Sequence, residues 1–416
     1  MKPLSARASR RVLPVIFVSA LLVSAVSLSL VPAAGATGVK VGEIAVGPSP
    51  EGVAYNPTNG DVYVVLNGNN NVSIIDGATN KVLVGNLSVL DDPTGVAVDP
   101  STGNVYVTSL DDDNLSVISG SSNQVIQNVS VGYEPIDVAV DQTTGHVYVV
   151  NYGDNTVDVI NASNDLLIAN LTAVLSKWGP ESSLAIATDP ATNMAYVVNS
   201  VDYTLSVITP SLRVVGLIGV GVNPDAVAVN PSTGLVYVAN FDYSTISVIN
   251  GTTNTVVDNI TGIGLYPDAI AVNPANGLVY TANSGSNSVS VIDGSTNTVL
   301  ANVTVGDDPD GIAVDTSTGY VYVANAINGT VSYFPGAFGV ATTTSSTSSS
   351  SSTGSQATSQ GSASSTSSSA SSSTSSSSGV PEFPLGSVGA VVLALLVVSS
   401  YLLARERSPA KKRTVS

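Results

Sequence analysis

One motif, close to P-x-x-[VI]-A-[VY]-[ND]-P-x-x-G-x-V-Y-V, recurs through the body of the chain. Its tyrosines are Tyr63, Tyr106, Tyr148, Tyr196, Tyr237, Tyr280 and Tyr322, separated by 43, 42, 48, 41, 43 and 42 residues. A period of this length marks supersecondary units that bury their apolar faces only by packing on their neighbours. Each unit reads as four short strands. In the fifth, Ala226 to Val229 meets the turn Asn230-Pro231-Ser232-Thr233-Gly234, and Leu235 to Asn240, Ile246 to Asn250 and Val256 to Ile260 follow. Proline presets φ in that turn and glycine closes it without strain. Period-2 alternation and abundant Val, Ile and Tyr specify strands rather than helices. Seven units of four strands make an all-β, seven-bladed β-propeller of four-stranded blades.

The seventh unit ends after Val331-Ser332-Tyr333-Phe334 and lacks a fourth strand. The segment Val41-Gly42-Glu43-Ile44-Ala45-Val46-Gly47 has no blade of its own and matches Leu300-Ala301-Asn302-Val303-Thr304-Val305-Gly306 of the sixth unit. Residues 39–47 are therefore expected to complete the last blade, closing a seam whose free edge would invite unwanted pairing.

Val-Tyr-Val-Ala-Asn at 236–240 and 321–325, Val-Tyr-Val-Val-Asn at 147–151 and Asp-Gly-Ser-Thr-Asn-Thr-Val at 293–299 resemble the YVTN-type propeller repeat. That resemblance covers residues 39–335 and implies an exported protein of the archaeal surface-layer kind. It implies no particular activity, because propellers carry many functions. Pro381-Glu382-Phe383-Pro384, followed by an apolar run and a basic tail, is similar to the PEF-type C-terminal sorting signal of archaea. The segment is then either cut by a sortase-like enzyme or kept as a plain membrane anchor.

The ends give the chain its compartment. Lys2, Arg7, Arg10 and Arg11 precede an apolar stretch over 12–32, and Ala34-Gly35-Ala36 fits a cleavage site. Residues 1–36 read as a secretory signal peptide, or as an uncleaved anchor helix. Leu385 to Leu403 is 19 residues long without a charge, enough for a transmembrane helix across a layer ~30 Å thick. The basic tail, 405–416, is expected to stay cytoplasmic. Residues 341–380 are nearly all Ser and Thr. They lack the apolar content of a core and read as a disordered, O-glycosylated stalk. The propeller, 37–340, is thereby held at the extracellular face of the cell membrane. Ten N-x-[ST] acceptors agree with export: Asn71, Asn86, Asn114, Asn128, Asn161, Asn170, Asn250, Asn259, Asn302 and Asn328.

Between residues 37 and 340 the chain carries 28 acidic residues against Lys40, Lys81, Lys177 and Arg213, a net charge of −24. Such a surface repels phosphate backbones and excludes nucleic acid as a partner. Cysteine is absent, so stability rests on packing alone. The single histidine, His146, occupies a variable turn position expected opposite the face considered below. With its one His at such a position and no Cys, the chain offers no Ser-His-Asp set, His-rich metal site or c-type haem signature.

The residue after each blade's entry-loop proline is Glu51, Thr94, Ile136, Glu181, Asp225, Asp268 or Asp310, with Asp137 following Ile136. Pseudo-symmetry is expected to bring these side chains into a rough ring at one end of the central channel. An oxygen-only ring suits calcium, which takes about six to eight oxygen ligands. Alternatively, each acid caps its own turn. The pairs Asp91-Asp92 and Asp307-Asp308 and the run Asp111-Asp112-Asp113 should share this face. So should Tyr133, Tyr152, Tyr203, Tyr243 and Tyr266, which fit either sugar and protein recognition or packing between blades. Trp178, in the one unit with extra residues, fits a rim contact or local packing.

The function these features favour is a non-catalytic binding, adhesion or cell-envelope protein whose partners are envelope proteins or glycans. The alternative is a calcium-dependent lactonase-like hydrolase or lyase at the channel mouth.

Overall fold

A computed structural model describes residues 39–171 and 183–338. The signal peptide, stalk, PEF-like segment, transmembrane helix and basic tail read from the sequence lie outside these residues, as do Trp178 and Glu181. Among the described residues no helix is long and apolar enough to cross a membrane.

The described chain forms seven four-stranded antiparallel sheets, the blades of a β-propeller. Blade 1 runs Pro50–Tyr55, Asp61–Leu66, Asn71–Asp76 and Lys81–Ser88, from the channel outward. Blade 5 repeats the plan with Pro224–Asn230, Leu235–Asn240, Thr245–Asn250 and Thr255–Ile260. The closing strand behaves as expected. Gly42–Ala45 pairs antiparallel with the strand Thr330–Pro335, Gly42 opposite Tyr333 and Ala45 opposite Thr330. Val46 and Gly47 then donate their N–H groups to the Gly329 carbonyl at 3.1 and 3.3 Å. Gly42 is needed there, since a Cβ at this position would lie 2.3 Å from the Tyr333 ring.

Seven apolar clusters hold the disc together, one at each seam between neighbouring blades. The seven motif tyrosines are buried in those seams. Four of their hydroxyls donate to a turn of the next blade: Tyr63 to Asn123 Oδ1 at 2.6 Å, Tyr237 to the Gly294 carbonyl at 3.2 Å, Tyr280 to the Gly336 carbonyl at 2.5 Å, and Tyr322 to Asn80 Oδ1 at 2.7 Å. Repetition of Tyr in the sequence is thus a packing requirement of the seam: the large buried ring is common to all seven, whereas the hydroxyls of Tyr106 and Tyr196 are buried without a partner.

Within a blade the polar groups form short radial chains. Asn283 Nδ2 donates to Ser290 Oγ at 3.0 Å, and Ser290 donates on to Asn302 Oδ1 of the outer strand at 2.6 Å. Asn240, Ser247 and Asn259 repeat this with 3.1 and 3.0 Å. Several of the sequon asparagines are therefore members of a structural network, whatever else they carry.

Candidate functional site: the acidic channel mouth

The inner strand of every blade carries a register shift near its start, between Pro224 and Ala226 in blade 5 and between Pro309 and Gly311 in blade 7. A bulge of this kind leaves one residue out of the ladder and re-aims its side chain. The residue so released is the one after the proline. Glu51, Thr94, Ile136, Asp225, Asp268 and Asp310 all line a cavity of about 330 Å³ at the channel mouth. The following position must be small where the seam is tight, because a Cβ on Gly311 would lie 2.0 Å from the Glu51 carbonyl oxygen.

Among the described residues the acids of the expected ring form an arc. In blade 4 Ser183 pairs with Asn199, the place Pro224 holds opposite Asn240. Leu184 therefore stands at the register position of Asp225, and Glu181 falls before the strand, outside the described residues. The acids occupy four consecutive blades, from Asp225 through Asp268 and Asp310 to Glu51. Thr94, Ile136 and Leu184 hold the same position in the other three. Thr94 spends its hydroxyl on the Ile136 carbonyl at 2.8 Å, so none of these three positions carries an acid.

Asp137 is also part of the wall, but as a brace. Its carboxylate accepts the Val138 N–H at 2.8 Å and, across the seam, the Ile186 N–H at 2.9 Å. Burial nevertheless raises its pKa to about 7, the two backbone N–H groups working against the rise. The arc acids are perturbed further. Burial, then the charges of Asp310 and Asp92, push Glu51 up to about 8. Burial, then Asp310, Asp225 and Asp308, raise Asp268 to about 8 against a lowering hydrogen bond from Ser284. Burial and Asp308 raise Asp310 to about 6. Several carboxyls of one small cavity thus titrate near neutrality.

Turn capping explains other acids on this face. Asp112 Oδ2 accepts the Asp91 N–H at 2.7 Å, Asp113 Oδ1 the Glu134 N–H at 3.0 Å, and Asp154 Oδ2 the Tyr133 N–H at 3.3 Å. Glu51 and Asp310 accept no such bond. Among the described residues no three of His, Cys, Asp and Glu come together in a way that could hold a metal ion.

The strand order puts the loops entering the inner strands and those joining the second and third strands on this same face, as the sequence implied. Tyr133, Tyr203 and Tyr243 stand on these loops 60%, 44% and 68% exposed. Tyr266 is half-buried and stacks on Phe241, ring centroids 4.9 Å apart. Tyr203 and Tyr266 both adopt φ 56°, at positions where other described blades use Asn, Asp, Ser, Glu or Gly. Left-handed backbone is unfavourable for a bulky residue, so these two rings are held at a local conformational cost. His146 opens a second strand at the far end of the disc. Lys40, Lys81 and Arg213, the basic residues among those described, also lie at that far end, at or just before outer strands.

No family model matches the chain, and no curated protein does either. Among solved structures, a chain of Kuenenia stuttgartiensis hydrazine synthase matches with a TM-score of 0.61 at 19% identity, over 69% of this chain and 95% of that one. In all, 1701 chains of solved structures match. At that identity the likeness concerns the fold alone, and the seven four-stranded sheets make that fold a β-propeller.

Proposed function

We propose that the protein is a non-catalytic binding module, displayed at the cell surface, whose channel-mouth face recognises a component of the cell envelope. The observation that supports this best is the asymmetry of the disc. One face gathers exposed Tyr133, Tyr203 and Tyr243 around an acidic cavity, and every described basic residue lies at the other end. Exposed aromatic rings among polar groups are the usual currency of recognition surfaces. The apolar and basic segments at the two ends of the chain are the support for export and for membrane attachment. The partner class is an envelope protein or glycan.

Placing a photo-crosslinking amino acid at position 243 of the full chain, and separately at position 146 on the far face, tests the reading on intact cells of the source organism. A defined protein or glycan adduct from 243 and none from 146 is the expected outcome. Equal adducts from both positions would refute a specific mouth-face partner.

A further inference from the structure

Four exposed apolar side chains stand on adjoining loops of the mouth face. Val201 and Tyr203 lie on the loop 200–203 of blade 4, Tyr243 on the loop 241–244 of blade 5, and Leu265 on the loop 261–266 entering blade 6. Hydrogen bonds tie these loops into one surface. Val220 donates its N–H to the Tyr203 carbonyl at 2.9 Å, Phe241 to the Asn223 carbonyl at 2.8 Å, and Tyr266 to Ser244 Oγ at 3.1 Å. The Phe241–Tyr266 stack bridges the loops of blades 5 and 6. An exposed apolar patch with a polar surround marks an interaction site. Rings on loops already fixed by their neighbours also bind with little ordering cost.

The partner's chemistry follows from what accompanies the rings. Asp202 immediately precedes Tyr203, and Asp242 immediately precedes Tyr243. Adjacent blades thus each offer an aromatic ring beside a carboxylate. That pair complements arginine, whose planar guanidinium stacks on aromatic faces and donates to carboxylates. Charge points the same way. Between residues 37 and 340 the net charge is −24 with Lys177 counted, a field that draws in a positive surface and repels anionic glycans and lipids. A neutral sugar would use the rings and gain nothing from the field.

We infer that this sector of the mouth face docks a protein through arginine side chains, stacked on Tyr203 and Tyr243 and paired with Asp202 and Asp242. Val201 and Leu265 keep water from the contact. The inference rests on the mouth-face reading above and narrows its partner class to an arginine-bearing protein surface.

Binding of the detergent-solubilised full chain to envelopes isolated from the source organism tests it. The envelopes are left untreated, treated with phenylglyoxal to block arginine, or treated with periodate to open glycan diols. Binding should weaken at least tenfold after phenylglyoxal and stay unchanged after periodate. It should also weaken severalfold between about 50 and 500 mM NaCl, as an exposed charge contact does. Tyr243→Ala and Asp242→Asn should each lower affinity at least fivefold, whereas Tyr243→Phe, which keeps the ring, and Asp76→Asn on the far face should not. Tyrosine-dependent binding that survives phenylglyoxal, is abolished by periodate or ignores salt would overturn the inference and leave the mouth-face reading standing. Binding to untreated envelopes that does not depend on Tyr203 or Tyr243 would overturn both.

Discussion

Replacing Glu51 with Gln should stabilise the propeller in alkaline solution and leave it unchanged in acid. The pKa of Glu51 is raised from 4.5 to about 8, first by burial and then by Asp310 and Asp92. Its folded-state pKa lies above its unfolded one, so between those values the native state binds more protons. Stability then falls as pH rises through that window. Below about pH 4.5 both states are protonated and Glu51 costs nothing; above about pH 8 the cost is complete. The full shift corresponds to ~5 kcal/mol at ~1.4 kcal/mol per unit. Because the side chain lines a water-accessible cavity, screening reduces the expected effect to about 2 kcal/mol. For a domain of this size that is a gain of roughly 4 °C in Tm. Thermal melts of the full chain and of Glu51→Gln at pH 5.0 and 9.0 provide the assay. The difference between variant and wild type should be near zero at pH 5.0 and open to several degrees at pH 9.0. A difference independent of pH, or a less stable variant at pH 9.0, would refute the assignment of Glu51 to a crowded, desolvated arc.

Three further outcomes follow from the packing. Tyr280→Phe removes the donor to the Gly336 carbonyl and should cost about 1 kcal/mol in urea unfolding, whereas Tyr280→Ala also empties a seam and should cost about 3–5 kcal/mol. Gly42→Val drives a side chain into the Tyr333 ring and should lower Tm and expose the terminal strand to limited proteolysis, with cleavage before Thr330 unchanged. Glycopeptide mass spectrometry of material from the native host should find Asn128 and Asn259 more fully occupied than Asn71 and Asn114. The first pair is exposed with the side-chain nitrogen free of hydrogen bonds, whereas Asn71 and Asn114 donate theirs to the carbonyls of Asn69 and Asp112.

Blade number, strand count per blade and the closing strand were legible in the sequence because each follows from local patterning repeated seven times. Tyr63 and its six counterparts stand out by period alone, and the absence of a fourth strand after Phe334 points directly at Gly42–Ala45. The mouth was only partly legible. Proline followed by an acid marked Glu51, Asp225, Asp268 and Asp310, and the bulge that aims them inward confirms that alignment. The fourth blade misled, because Pro180 in the longer interval imitates the entry proline while the register starts at Ser183. Only pairing across strands decides between them. Asp137 was visible as an acid beside Ile136, but its role as a brace depends on the Ile186 N–H of another blade, some fifty residues away, and no local pattern encodes that. The conformations of Tyr203 and Tyr266 were likewise invisible, since Tyr carries no preference for left-handed backbone.

We propose that the channel-mouth face is the working surface of the disc. Its most direct test is the affinity of the full chain for isolated cell envelopes, compared with that of Tyr133→Ala/Tyr203→Ala/Tyr243→Ala and of a far-face control, Lys81→Ala/Arg213→Ala, all with matched Tm. At least a tenfold loss is expected for the triple tyrosine variant and none for the control. Undiminished binding by the tyrosine variant, or a loss confined to the far-face control, would contradict it.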